Sequence, residues 1–219
     1  MKDYVLMLSR HAVRSYLDKP IEEEKTTKIE EEIAACNKES GLHFQFVKNE
    51  PNAFDGFMAH YGKFKGVKNY VALIGKKHQD EAIGYYGERI VLLLQTLGLN
   101  SCWVAMTYKK MKNAFCIEKG EKLYCVIALG YGETEGVAHT IKPLTAVSNS
   151  EGAPEWFLDG VRGALLAPTA MNQQKFFFTL DGDKVKAKAG KAMCAKLDLG
   201  IAKYHFELAS GKDHSIWKN

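Results

Sequence analysis

The chain has 219 residues and a formal net charge of +4, with 46% hydrophobic and 26% charged residues. These values are ordinary for a soluble globular protein, and the length fits one domain over residues 1–219. The mild charge excludes the dense basic stripe of a nucleic-acid binder. No signal-peptide core follows Met1, and the most apolar stretch is too short for a membrane span. Composition therefore predicts a cytoplasmic protein that binds neither nucleic acid nor membrane.

The cysteines predict neither a disulfide framework nor a metal site. They form no CxxC pair and have no partner histidines at metal-ligand spacing. Several lie in apolar runs, where a free cysteine behaves as a small hydrophobic residue. The five are Cys36, Cys102, Cys116, Cys125 and Cys194.

The first third of the chain predicts two helices and two strands. Residues Tyr4 to Leu8 form the end of a short apolar helix. A second helix starts after Pro20, where acidic residues favour the positive end of the helix dipole, and runs to about Cys36. Alternation predicts a strand from Leu42 to Val47, and an apolar run predicts another from Val71 to Ile74. The glycine-rich, aromatic stretch from 54 to 66 has no assignment.

The segment from 80 to 107 contains a helix with almost no polar face. Between Ile83 and Gly98 its only charged residues are Glu88 and Arg89. A helix that is apolar on all sides belongs in the interior, and Gly98 is a natural stop. The short uncharged run that follows, up to Met106, suggests a wall for a flat, neutral ring system.

The second half of the chain mixes further helices and strands. Between them, residues 133–150 show little periodicity, and an Asp-Gly turn joins the two strands of a hairpin. The predicted order is an amphipathic helix over Lys109–Phe115, a strand over Leu123–Leu129, a helix from Pro154 to Leu166, a hairpin over 175–189, a helix over Lys191–Leu197 and a last strand near Tyr204–Leu208. The fold class is α+β, with a central, mostly antiparallel sheet flanked by helices around a buried central helix.

Two polar segments are candidates for ligand binding. The first, Arg10 to Arg14, places two guanidinium groups where they could hold a phosphate, or it is a pair of surface arginines in weak ion pairs. The second, residues 164–174, passes from an apolar helix to clustered amides and hydroxyls. These could read the edge of a heterocycle, or they could cap a loop. The nucleotide and hydrolase motifs GxGxxG, P-loop, GxSxG and HExxH are missing from the sequence.

Together these segments resemble the FMN-dependent nitroreductase family. SRHAVRSY is similar to the family's RRSVRxF motif, GLNSCWVA to GLGSCWxG, and APTAMNQQKFFF to APSxxNxQPWxF. ALGYG and KPL, at 128–132 and 142–144, resemble two further family segments. The five matches span nearly the whole chain.

The resemblance implies a bound FMN and a set of residues around it. Arg10, His11, Arg14 and Lys142 would bind the phosphate. The flavin edge would be lined by Pro168, Thr169, Asn172 and Gln174. The backbone of Trp103, Val104, Ala105 and Met106 would lie beside the reacting side of the ring. No catalytic side chain is implied, because FMN carries the chemistry; His205 is a possible substrate group, although a packing histidine is the favoured interpretation.

The sequence also departs from the family pattern. Here the APSxxNxQ-like motif lies near the C-terminus, as in a smaller branch whose elements are reordered along the chain. Ala12 stands where many members have serine, and Lys175 replaces the proline of the QPW triplet. The family implies a homodimer with FMN at the interface, whereas the reordering could let one chain supply both halves of the site.

The resemblance implies transfer of hydride from NAD(P)H through FMN to a small acceptor, such as a nitroaromatic compound or a quinone. Two alternatives stay open at this point. One is a flavin-binding or sensing protein without turnover, and the other is a different FMN reaction on the same fold, such as reductive dehalogenation.

Overall fold

A computed structural model of the chain describes residues 2–111 and 113–218, without the side chain of Lys2. The chain forms two compact units. The sheet unit comprises Arg10–Gln79 and Arg89–Val137, and the helical unit comprises Met1–Ser9, Asp80–Glu88 and Ala138–Asn219. The expectation of a single domain over residues 1–219 stays a prediction.

The sheet unit is built on four antiparallel strands. The strand order is β1-β2-β4-β3, so that β2 and β4 are central and β3 lies at an edge. This arrangement confirms the predicted antiparallel sheet. The strands are β1 (Gln45–Val47), β2 (Asn69–Lys76), β3 (Asn100–Val104) and β4 (Glu121–Gly130), and the unit also holds α2 (Glu23–Ser40) and the short α3 (Phe57–Tyr61).

The helical unit combines helices with a two-stranded hairpin. Its helices are α1 (Lys2–Ser9), α5 (Glu155–Leu165) and α6 (Ala195–Ser210), and its strands are β5 (Phe176–Asp181) and β6 (Lys184–Ala189). The hairpin lies where the sequence predicts it, but its turn is shifted by one residue: Asp181 ends β5 and pairs with Lys184, and the two turn residues are Gly182, at φ 65°, and Asp183. Across residues 2–111 and 113–218, no helix has the length and apolar character that a membrane crossing needs.

The central helix α4 runs from Asp80 to Thr96 and contributes its first nine residues to the helical unit and the rest to the sheet unit. Its apolar side chains Ile83, Ile90 and Leu94 are fully buried. The predicted stop follows, with Gly98 in the left-handed conformation at φ 68°. The structure therefore confirms the buried central helix.

Two sequence predictions are wrong. The described residues of the stretch 109–115 form turns and coil instead of an amphipathic helix, because Met111, Ala114 and Phe115 turn toward the core of the sheet unit. The predicted helix over Lys191–Leu197 begins only at Ala195 and continues through the predicted strand near Tyr204–Leu208, so that both belong to α6. Gly200, which resembles a helix stop in the sequence, lies inside α6 at a point of close helix contact.

Candidate functional site

The two motifs predicted at residues 10–14 and 101–106 meet in the sheet unit. The segment after α1 runs parallel to the edge strand β3, with a bridge between Ala12 and Ser101. The Val13 N–H donates to the carbonyl of Ser101 over 3.0 Å. Backbone pairing therefore places the arginine motif directly beside the uncharged segment that ends in Met106.

Tyr16 fixes this segment on the core of the sheet unit. Its hydroxyl donates to the carbonyls of Val13 (2.7 Å) and Ala128 (3.3 Å). Burial raises the pKa of Tyr16 well above its ordinary value, so the hydroxyl stays protonated and keeps donating. The sequence did not predict this anchoring role of Tyr16, although the tyrosine lies two residues after the arginine motif.

The cationic side chains of the motif differ in their surroundings. The guanidinium of Arg10 is buried, with 4% of the residue exposed, whereas Arg14 is exposed and lies 5.9 Å from the ring centroid of Phe64. Burial raises the pKa of the Cys102 thiol, and the charges of Arg14 and Arg10 act against that rise. Both guanidinium groups thus exert their field at the same part of β3.

His11 is held by the segment that follows β4. Its Nδ1 donates to the carbonyl of Glu135 over 3.1 Å. Gly136 passes so close that a β-carbon there would lie 2.7 Å from the Cβ of His11. Nearby, the side chain of Asn100 accepts from the Gly132 N–H (2.9 Å) and donates to the Glu135 carboxylate (3.1 Å). The segment 132–136 therefore contacts both His11 of the arginine motif and Asn100 of β3.

The residues predicted to flank a flavin ring alternate along β3 and its extension. Val104 is buried in the core, Trp103 is half-buried, and Ala105 and Met106 are exposed. Because successive residues of an antiparallel strand direct their backbone groups to opposite sides, Ser101 and Trp103 direct theirs away from β4. The backbone of Trp103 thus faces away from β4, and Ala105 and Met106 lie beyond the end of β3.

The second predicted set lies in the helical unit and forms a connected network. Gln174 is 3% exposed, and its side-chain carbonyl accepts from the backbone N–H of Lys142 over 2.9 Å. Its amide nitrogen donates to the Thr140 carbonyl (2.9 Å) and to the Asn172 Oδ1 (2.7 Å). The Lys142 ammonium donates to the carbonyls of Gln173 (2.6 Å) and Gln174 (3.2 Å). The set is brought together, and its members bind one another.

Asn172 and Thr169 complete this network. The Asn172 amide donates to the Thr140 carbonyl over 2.9 Å, and the hydroxyl of Thr169 accepts from the Gln174 N–H over 3.1 Å. Met171, Asn172 and Gln174 all have left-handed backbone angles, with φ of 52°, 54° and 44°. Backbone strain of this kind persists where the surroundings enforce it, often at binding sites. Pro168, half-buried, precedes this strained loop.

Asp198, in the first turn of α6, holds the strained loop through hydrogen bonds to residues 170 and 173. Its carboxylate accepts from the Ala170 N–H (3.1 and 3.2 Å) and from the Gln173 side chain (3.0 Å). Sequence analysis missed Asp198 because Asp-Leu-Gly resembles a helix end. It missed Thr140 as well, which lies in the aperiodic stretch and gives no signal of its own.

His205 is a packing residue in this structure. It is fully buried, and its Nδ1 donates to the carbonyl of Gly163 over 3.2 Å. Its Nε2 lies 2.9 Å from the carboxylate of Glu88, which is also fully buried. Both ring nitrogens therefore have partners inside the helical unit, which confirms the favoured interpretation of this histidine.

The fold is that of the nitroreductases. A crystal structure from Thermotoga maritima MSB8, described as a "putative nitroreductase", matches with a TM-score of 0.68 over 94% of this chain and 82% of that chain, at 22% identity. A "putative NADH dehydrogenase/NAD(P)H nitroreductase" from Parabacteroides distasonis ATCC 8503 matches with a TM-score of 0.54 over 68% and 98%, at 18% identity. A protein of the same description from Bacteroides thetaiotaomicron VPI-5482 has a TM-score of 0.53 over 67% and 96%, at 16% identity.

The family itself is established by sequence. Residues 4–210 match the model of the family described as "Putative TM nitroreductase". The chain therefore belongs to this nitroreductase family, which is a family of oxidoreductases. A search of curated proteins found no match.

Proposed function

We propose that the protein is an FMN-dependent oxidoreductase that passes hydride from NAD(P)H to a small acceptor such as a nitroaromatic compound or a quinone. The observation that carries this proposal is the pairing of residues 12 and 13 with Ser101. It sets two guanidinium groups beside a strand end that presents uncharged, exposed backbone. A phosphate attached to a flat, neutral ring fits that combination.

The residues of the sheet unit match the chemistry of a phosphate. The group carries a charge near −2, and holding it partly out of water takes more than one cation. Arg10 supplies a buried charge, Arg14 an exposed one, and His11 a ring whose Nδ1 is already fixed on a carbonyl. The Nε2 of His11 is then the atom that can face a ligand, which makes imidazole a third polar group for the phosphate.

The residues of the helical unit are assigned to the flavin edge by the family resemblance. Because Asn172 and Gln174 bind each other and Thr140, their role toward a flavin is to hold the strained loop in place. Lys142 braces the same loop through two carbonyls, and its assignment to the phosphate rests on the family resemblance alone.

The chemistry that FMN supplies when bound is the acceptance of a hydride from NAD(P)H and its delivery to the acceptor. The chain contributes binding, orientation and shielding. β3 fixes the backbone of Trp103 and Val104, and Ala105 and Met106 follow directly after its end. The family resemblance assigns this backbone to the ring, where N–H groups would stabilise negative charge on the reduced flavin. The side chains of Ala105 and Met106 are exposed and carry no charge.

The first test is the visible spectrum of the purified protein, before and after mild denaturation. We expect flavin absorbance near roughly 450 nm, released as FMN, and NAD(P)H oxidation when a quinone is added. A colourless protein that takes up no FMN contradicts the proposal. A yellow protein without turnover would instead identify a flavin-binding protein.

Variants then locate the phosphate and the ring. Arg14→Gln should weaken FMN binding roughly tenfold to a hundredfold, as expected for loss of a charge-assisted hydrogen bond, and should leave riboflavin binding unchanged because riboflavin has no phosphate. Asn172→Ala should weaken both ligands alike. Arg162→Gln is the matched control, because this half-buried arginine is paired with Glu155 and Asp159 on α5.

A further inference from the structure

The short helix α3 leaves aromatic side chains in solvent. Phe57 is 82% exposed and Tyr61 is 76% exposed, and their spacing of four residues places them on one face of the helix. Met58, 45% exposed, adjoins them. Adjacent exposed apolar side chains of this size mark a surface that binds a ligand or a partner.

A basic cleft lies alongside α3 in the sheet unit. Its volume is about 600 Å³, within the range of small-molecule sites. Four of its lining residues are basic and one, Asp55, is acidic. The basic residues are His60, Lys63, Lys65 and Lys68.

Two of these basic groups remain available to a ligand. Lys65 pairs with Glu133 and Lys68 with Asp18. Within the described part of the chain, the side chains of His60 and Lys63 take part in no hydrogen bond or ion pair. With three lysines and one carboxylate in its lining, the cleft favours an anionic ligand.

The backbone of Lys63 adds an independent observation. Its N–H donates to the His60 carbonyl (2.9 Å), and the Phe64 N–H donates to the Ala59 carbonyl (2.9 Å), which is the Schellman pattern at a helix end. Lys63 occupies the left-handed position of that pattern at φ 60°, where glycine is preferred. A residue that lines the cleft thus has a strained backbone, which is common at binding sites.

The cleft adjoins the candidate site within the same unit. Ser15 and Phe64 line it, and the Arg14 guanidinium lies over the Phe64 ring. At the end of α3, a β-carbon on Gly62 would lie 2.6 Å from the Cβ of Thr107, the residue after Met106. A ligand in the cleft would therefore extend toward the arginine motif or toward the 103–106 segment.

We infer that α3 and this cleft bind the adenosine diphosphate end of the nicotinamide dinucleotide. The diphosphate meets His60 and Lys63, and the adenine stacks on Tyr61, because aromatic faces next to cations suit a base joined to phosphates. The inference rests on the proposed function, since it assigns a docking site to the electron donor of that reaction.

The test measures binding of ADP and of inorganic pyrophosphate to the purified protein by titration calorimetry. Lys63→Gly should weaken both ligands about tenfold, while relief of the left-handed strain raises the melting temperature by about 2–4 °C. Tyr61→Ser should weaken ADP and leave pyrophosphate unchanged. Lys77→Gln is the matched control, because this exposed lysine follows the opposite end of β2 from the cleft.

Kinetics separate this inference from the proposed function. In the FMN-loaded protein, Lys63→Gly should raise KM for NADH or NADPH with kcat and FMN content unchanged. A protein that takes up no FMN yet binds ADP as described overturns the donor role and the proposed function, while the ADP site stands. Equal affinity for ADP and pyrophosphate overturns the dinucleotide assignment. Loss of a dimer in Tyr61→Ser with ADP binding unchanged overturns it too, because the face would then join two copies.

Discussion

Asp198 links the strained loop of the helical unit to the solvent pH. It is 2% exposed, and burial raises its pKa to about 6 from the ordinary value of 3.8, although the hydrogen bonds from Gln173 and Ala170 act in the opposite direction. The native state then holds this proton more tightly than the unfolded state does. Between those two pH values the free energy of unfolding must therefore fall as the pH rises.

We expect the titration of Asp198 to lower the free energy of unfolding by about 2 kcal/mol as the pH rises from 4 to 7. The variant Asp198→Asn should lose that pH-dependent part, because an amide does not titrate. The measurement is urea unfolding of both proteins across this range, compared as a difference so that other titrating groups cancel. Identical pH profiles would show that the carboxyl is not perturbed as described.

At the scale of elements, α4 and α6 touch backbone to backbone within the helical unit. A β-carbon on Gly84 would lie 2.0 Å from the carbonyl oxygen of Leu197, and one on Gly200 would lie 1.9 Å from that of Glu81. Neither oxygen can turn aside, since each belongs to a helix backbone. The two glycines thus set the distance between the helices.

Gly84→Ala and Gly200→Ala should each lower the free energy of unfolding by at least about 1–3 kcal/mol, the usual cost of overpacking. This loss is expected although alanine favours helix by about 1 kcal/mol over glycine. Urea denaturation measures the effect. Gly56→Ala serves as the control, because nothing lies within 4 Å of a β-carbon there, and a similar loss in the control would remove the packing explanation.

The sequence predicted some of these elements correctly and missed others. Apolar periodicity identified α4, β2, β4 and the hairpin, because burial on one or all sides leaves that pattern in the sequence itself. The sequence predicted a helix end at Gly200 because a glycine required for helix packing cannot be told apart from one that ends a helix. The sequence did not predict the hydrogen-bond network around Gln174, because Thr140 is 34 residues away in the chain and contacts Gln174 only in the folded protein. The family resemblance alone connected residues 10–14 with 101–106.

For the molecule as a whole, the order of motifs along the chain bears on its assembly. The chain passes between its two compact units four times, and α4 contributes residues to both. The arginine motif belongs to one unit and the strained loop near the C-terminus to the other. The number of chains that contribute to one FMN is therefore a property that assembly experiments can decide.

We propose a homodimer, and α1 offers apolar surface for it. Val5 is 64% exposed and Leu8 is 48% exposed, three residues apart on one side of the helix. Val5→Glu and Leu8→Glu should therefore convert a dimer to a monomer in sedimentation velocity, because a charge cannot be buried there unpaired. Ile117→Glu, a substitution of a 45% exposed side chain, is the control.

If the monomeric variants lose FMN, the cofactor needs groups from two chains, whereas monomers that keep FMN show that one reordered chain supplies them all. A wild-type protein that sediments as a monomer with FMN bound would contradict the homodimer.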